Sequence, residues 1–168
     1  MKILNVSLFS FLVVLMVSCC FTQKTQQDTE WDYDINTDFA GLKTYAWHPV
    51  RGTVEIDRLM LVRIKDAVNA ELKTKGLELV SKTPDFFIVL HGGRLVKYDT
   101  RWRGYYSELY YEEGILKLAF LDPKSEQLIW WGESRADLFF KMTPDEKDKI
   151  AEEVVENILK YFPPSAPK

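Results

Sequence analysis

The sequence is short of the residues from which most catalytic and metal sites are built. Its 168 residues include two histidines and two cysteines. Cys19 and Cys20 stand side by side near the N-terminus, so no internal disulfide framework staples the rest of the chain. His48 precedes a proline and His91 closes an apolar run, far away in sequence. No His-x-x-x-His pair or Asp-rich loop supplies a metal set. Gly-x-Ser-x-Gly is missing, and Gly92-Gly93 and Gly104 lack the spacing of a phosphate loop. A hydrolytic set of Ser134, His91 and an aspartate would exist only if the fold assembled it. The expectation is a protein that is not an enzyme and uses no cofactor or metal. Basic excess is also lacking, with 22 Lys and Arg against 25 Asp and Glu, which argues against a nucleic-acid partner. No internal repeat is visible.

Long hydrophobic character is confined to Met1–Cys20. Lys2 forms a short positive region and Ile3 to Val17 an apolar run of the length of a secretory signal. Met16-Val17-Ser18 ahead of Cys19 resembles a bacterial lipobox, in which the cysteine is acylated and becomes the mature N-terminus. Cys20 is the alternative acceptor, with a poorer residue, Cys19, before it. Two other readings are an uncleaved membrane anchor and an ordinary export signal. Asn5, Ser7 and Ser10 inside the run weigh against the anchor. Residues 1–18 are therefore expected to be a lipoprotein signal peptide, with the membrane as a partner through the N-terminal lipid. Their removal takes away Lys2 and no acid, so the formal charge moves from −3 to −4. No aspartate follows Cys19 or Cys20, which leans toward the outer membrane.

Residues 19–30 read as a flexible tether, polar and without periodicity from Thr22 onward. The folded unit is expected over 31–163, with 164–168 as a loose tail. Asp32–Ile35 and Thr44–Trp47 alternate like short strands. Asp57 is a candidate N-cap for a helix whose stripe is Leu61, Ile64, Val68 and Leu72, with Gly76 as its left-handed stop. Arg63, Lys65, Asp66, Asn69, Glu71 and Lys73 would form its wet face. Strands follow at 77–80 and 85–91, with Gly92-Gly93 as a candidate bulge before 94–98. Leu116–Leu121 and Leu128–Trp131 make a hairpin around Asp122-Pro123-Lys124-Ser125, continuing to about Phe140. Thr143, Pro144 and Glu146 spell a capping box for a last helix with Ile150, Val154, Ile158 and Phe162 inward. The order β-β-α-β-β-β-β-α predicts an α+β two-layer sandwich, mainly antiparallel, with two amphipathic helices on one face.

Two groups of aromatics are candidate sites. Arg101, Trp102, Arg103, Tyr105, Tyr106, Tyr110 and Tyr111 crowd a loop-like stretch. Aromatics and arginine dominate interface hot spots, so this is a candidate surface for an envelope protein partner or glycan; the plainer reading is a hairpin packed on the sheet edge. Trp47, Phe87, Trp130 and Trp131 are candidate linings of a pocket between sheet and helices, as in a carrier of lipid or another apolar ligand; the plainer reading is a filled core.

Several segments together resemble the bacterial lipoproteins that carry the domain DUF4136. These are Tyr33-Asp34, Asp38-Phe39 and Lys43-Thr44-Tyr45-Ala46-Trp47, then Ala70-Glu71-Leu72 to Lys75-Gly76 and Asp85 to His91. Glu113-Gly114, Leu121-Asp122, Trp130 before Gly132 and Ile158 to Phe162-Pro163 complete the series over about 32–163. Trp131 departs where a basic residue is expected, and Ile115 where threonine is usual. The family has no established activity, so the resemblance implies a fold and lipidation and supplies no chemistry.

Overall fold

Asp57 sets the first helix in place. Its Oδ1 accepts the N–H groups of Leu59 and Met60 at 2.9 and 3.0 Å, satisfying two donors that a helix start leaves open. The structure, a computed structural model, describes residues 28–49, 56–98, 110–138 and 142–164. Helix α1 runs Arg58–Thr74 and buries Ile64, Val68 and Leu72. It stops at Gly76, whose φ of 81° suits a residue without a Cβ.

The second helix, α2, runs Pro144–Leu159. Thr143 Oγ1 accepts the Glu146 N–H at 3.3 Å and Glu146 Oε2 accepts the Thr143 N–H at 2.7 Å, closing the expected capping box. Its buried residues are Ala151, Val154, Val155, Ile158 and Leu159. Ala151 takes the inward place expected of Ile150, which is only partly covered.

Six strands form one sheet: β1 Thr29–Tyr33, β2 Thr44–Trp47, β3 Glu78–Leu79, β4 Phe86–Tyr98, β5 Tyr110–Leu121 and β6 Leu128–Leu138. Their spatial order is β1-β6-β5-β4-β2-β3. The β4–β5, β5–β6 and β1–β6 pairs are antiparallel, whereas β2 runs parallel to both β3 and β4. The sheet is thus mixed, because α1 carries the chain back over the layer before β3 and β4 begin. Strand β1 starts at Thr29, two residues inside the segment read as tether, since Thr29 and Glu30 pair with Ser134 and Glu133.

No bulge occurs at Gly92-Gly93. The β4–β5 register passes through Gly92↔Leu116 and Gly93↔Ile115 without a break. Gly92 instead makes room for Ile56, whose Cδ1 would stand 2.1 Å from a Cβ at that position. The irregularity falls at Phe120/Leu121, next to the Asp122 turn. There Asp122 Oδ1 accepts the N–H groups of Lys124 and Ser125 at 3.0 and 2.7 Å.

Alternation divides the sheet into two faces. Tyr45, Phe86, Ile88, Leu116, Leu118, Phe120 and Trp130 meet the helix residues in one core. Phe162 is its centre, with ring centroids 4.8 Å from Phe120, 5.3 Å from Trp130 and 5.8 Å from Phe86. Two helices and the sheet's inner face therefore make the two layers.

Candidate functional site

The parallel β2–β4 junction is held by a cluster of side-chain hydrogen bonds. Asp85, just before β4, accepts from the Lys43 N–H at 2.9 Å and from the Thr44 N–H and hydroxyl at 2.8 Å each. These three donors, the Lys43 N–H foremost, hold its carboxyl below the usual aspartate value of 3.8. One residue on, Tyr45 stands opposite Phe86 with ring centroids 5.9 Å apart. Tyr45 is 1 % exposed, and burial pushes its phenol above the usual 10.0. The Tyr45 hydroxyl donates to Asn69 Oδ1 at 3.0 Å, and the Trp47 indole donates to the same oxygen at 3.1 Å. Asn69 thus turns toward the sheet and leaves the wet face on which the pattern of α1 placed it.

The four aromatics considered as a pocket lining are split by the sheet. Trp47 and Trp130 belong to the helix side, where Trp47 carries Lys65 Nζ 4.7 Å above its ring and Trp130 is fully enclosed. Phe87 and Trp131 point to the other face, because each follows or precedes an inward residue on its strand. The space between the layers is occupied by rings in contact, with Phe120 4.7 Å from Trp130 and 4.8 Å from Phe86. These four residues line no common pocket.

The outer face has its own order. Phe87, Val89, Leu121 and Trp131 are half-buried there, surrounding Ala119 and Ala46. Lys117 Nζ lies 3.9 Å from the Trp131 ring centroid, and Arg135 Nη2 bonds Glu133 Oε1 at 3.2 Å. Asp32 stands opposite Trp131 across β1–β6. His48 meets Phe87 edge-on at 5.2 Å, and His91 is an exposed member of the same face. Ser134 faces the helices, is fully buried, and receives the Thr29 hydroxyl at 3.4 Å. The hydrolytic set conceived from Ser134 and His91 is therefore divided by the sheet.

Of the aromatic segment, Tyr110 and Tyr111 begin β5, opposite Tyr98 and Lys97. Arg101, Trp102, Arg103, Tyr105 and Tyr106 lie outside the described residues, as do Cys19, Cys20 and most of the tether and tail. Among the described residues no group of three His, Cys, Asp or Glu could hold a metal ion, and no helix is long and apolar enough to cross a membrane.

A groove of about 450 Å³ that sequence reading missed runs along the outside of the helix pair. Ala67, Ala70 and Val155 form its apolar part, with Asp66 and Glu71 from α1 and Asp148, Glu152 and Glu156 from α2 around them. Arg63 crosses it to pair with Asp148. Helical spacing shows each acid as part of a solvated face; only the docking of the two helices shows that the faces meet.

These features define a small two-layer α+β domain with a filled core and, among the described residues, one sheet face free of helices. The chain belongs to the family of the domain of unknown function DUF4136, whose profile matches residues 29–164. No curated protein matches the sequence. Among solved structures, a PDZ domain protein from Parabacteroides distasonis is similar with a TM-score of 0.56 at 16% identity, over 84% of this chain and 37% of that one. This chain spans little more than a third of that protein. The PelC dodecamer from Paraburkholderia phytofirmans is similar with a TM-score of 0.52 at 9% identity, over 79% and 94%. A DUF4136 family protein from Bacteroides thetaiotaomicron gives 0.49 at 12% identity, over 82% and 96%. At these identities the likeness concerns the fold.

Proposed function

We propose that this protein is a bacterial envelope lipoprotein, held on the outer membrane by an acylated Cys19 and acting as a non-enzymatic binding or assembly module. The observation that carries the binding role is the outer sheet face. Phe87, Val89, Leu121 and Trp131 share it, opposite the face on which α1 and α2 pack. Apolar side chains gathered on a face that no described helix covers mark contact surfaces more often than scattered ones do. Support for the anchor comes from the apolar run and the Met16-Val17-Ser18-Cys19 sequence, a few residues ahead of a domain that begins at Thr29. Arg101, Trp102, Arg103, Tyr105, Tyr106, Tyr110 and Tyr111 supply a second candidate surface for the same partner. The carrier reading needs room between the layers, where Phe86, Phe120, Trp130 and Phe162 are in ring contact.

Cross-linking and co-purification from membranes tests this reading. A specific envelope partner is expected with the acylated protein, lost in a Phe87→Ala/Trp131→Ala variant or on deletion of 99–111. Retention of every partner by both variants would overturn the surface assignment. Intact mass of a Cys19→Ala variant checks the anchor: an unchanged acylated mass moves the modification to Cys20.

A further inference from the structure

The α1–α2 groove concentrates charge beyond its share of the molecule. Five carboxylates and one guanidinium line it, a formal −4, whereas the whole chain is −3. The rest of the chain sums to a formal +1, so the groove is acidic on a molecule that is otherwise near neutral in net charge. Asp148 is offset by Arg63 and Glu71 by Lys75 at 3.4 Å. Among the described residues no cation pairs with Asp66, Glu152 or Glu156. Asp148, Glu152 and Glu156 repeat at four-residue spacing, an arrangement in which like charges repel along a helix. Between the carboxylates the surface is apolar and made of small side chains, Ala67 and Ala70, beside Val155. From Arg63 to Thr74 the groove is roughly 16 Å long at ~1.5 Å per residue, about three helical turns.

We infer that this groove is a docking site for a basic amphipathic helix of a partner protein. Small residues on the floor let a third helix axis come within the ~8–10 Å of ordinary helix packing. Lysines or arginines flanking its apolar stripe would then reach the acids of both walls. A second copy of this chain is a poor occupant, because a two-fold contact sets the same carboxylates against each other. The chain's own tether is no better, since Lys24 is the single cation between Phe21 and Glu30. The inference goes beyond the binding-module reading, since it adds on the helix layer a surface separate from the outer sheet face and names one class of partner for it.

The test is a titration of the full chain in non-ionic detergent with a labelled helical peptide of Ala and Lys, about 18 residues long to exceed the groove. Empty micelles are the reference. Saturable binding that weakens as salt is raised is expected. An Asp66→Asn/Glu152→Gln/Glu156→Gln variant should raise Kd about tenfold or more, and a Glu30→Gln/Glu78→Gln control should stay within about twofold. Ala70→Trp, which fills the floor and leaves the charge unchanged, should also weaken binding. Circular dichroism checks that each variant is folded. No saturable binding, an equal loss in the control, or an Ala70→Trp variant that binds like wild type would each overturn the inference. Failure of acylation would sink the lipoprotein reading and leave this titration unaffected.

Discussion

Gly132 and Ile158 meet across the two layers with no room to spare. A Cβ on Gly132 would lie 2.7 Å from Ile158 Cγ2, and the Trp130 Cη2 atom on the other side would be 2.6 Å away. Both neighbours are fully buried, so neither can swing into solvent. Trp130 is thus positioned by the gap that Gly132 leaves, and α2 comes close to β6 at that gap.

Gly132→Ala should therefore destabilise the domain by about 1–3 kcal/mol, the range for overpacking a core. For a domain of this size each kcal/mol lowers Tm by ~2–4 °C. Calorimetry of the variant measures it; an unchanged Tm would mean that α2 shifts freely.

Asn69 holds two indoor donors with one oxygen. Asn69→Leu leaves the buried Tyr45 hydroxyl without its acceptor and releases the Trp47 indole. A cost of about 1–3 kcal/mol is expected for the orphaned group. Urea unfolding followed by tryptophan fluorescence reads it, and a Tyr45→Phe/Asn69→Leu double variant should recover part of the loss.

Asp85 should make stability depend on acid. Its folded-state carboxyl titrates below the usual value because the Lys43 and Thr44 groups donate to it, outweighing a small opposing effect of desolvation. A carboxylate with a lowered folded pKa contributes stability that is complete above the ordinary value of 3.8 and is lost as pH falls through the folded value. Asp122 and Glu146, lowered mainly by the N–H groups of Ser125 and Thr143, act in the same direction. Urea midpoints should hold level down to about pH 5 and then fall. Asp85→Asn should be less stable than wild type near neutrality and approach it in strong acid; parallel curves at every pH would remove Asp85 from the account.

Thr143→Ala removes the side chain that accepts the Glu146 N–H and donates to its carboxylate at 2.9 Å. Loss of an N-cap costs about 1 kcal/mol. Hydrogen exchange should show faster opening of the first turn of α2, with the β4–β5 ladder little changed.

Local features of the fold are legible in the sequence because their causes lie within a few residues. Asp57, Gly76, Thr143 and Glu146 act on backbone groups no more than a turn away, and the Asp122 turn closes on itself. The Gly92-Gly93 pair shows the limit. Two glycines suit a bulge or a close approach equally well, and Ile56, thirty-six positions earlier, decides for the second at Gly92. The candidate sites were less legible. Trp130 and Trp131 look alike as neighbours in the chain, and their fates differ because one faces Phe162 and the other Lys117.

By itself, then, the sequence determined the two capped helices, the hairpin around Asp122, the apolar N-terminal segment and the family, through short-range spacing and residue order. Tertiary structure alone decided that β2 pairs parallel to β4 through Thr44 and Asp85, forty-one residues apart. It also decided which tryptophan is enclosed, and that acids of α1 and α2 share one groove. Alternation and helical period say which residues lie on the same side of an element. Only packing against another element decides which side is dry, and where two wet sides combine into a surface.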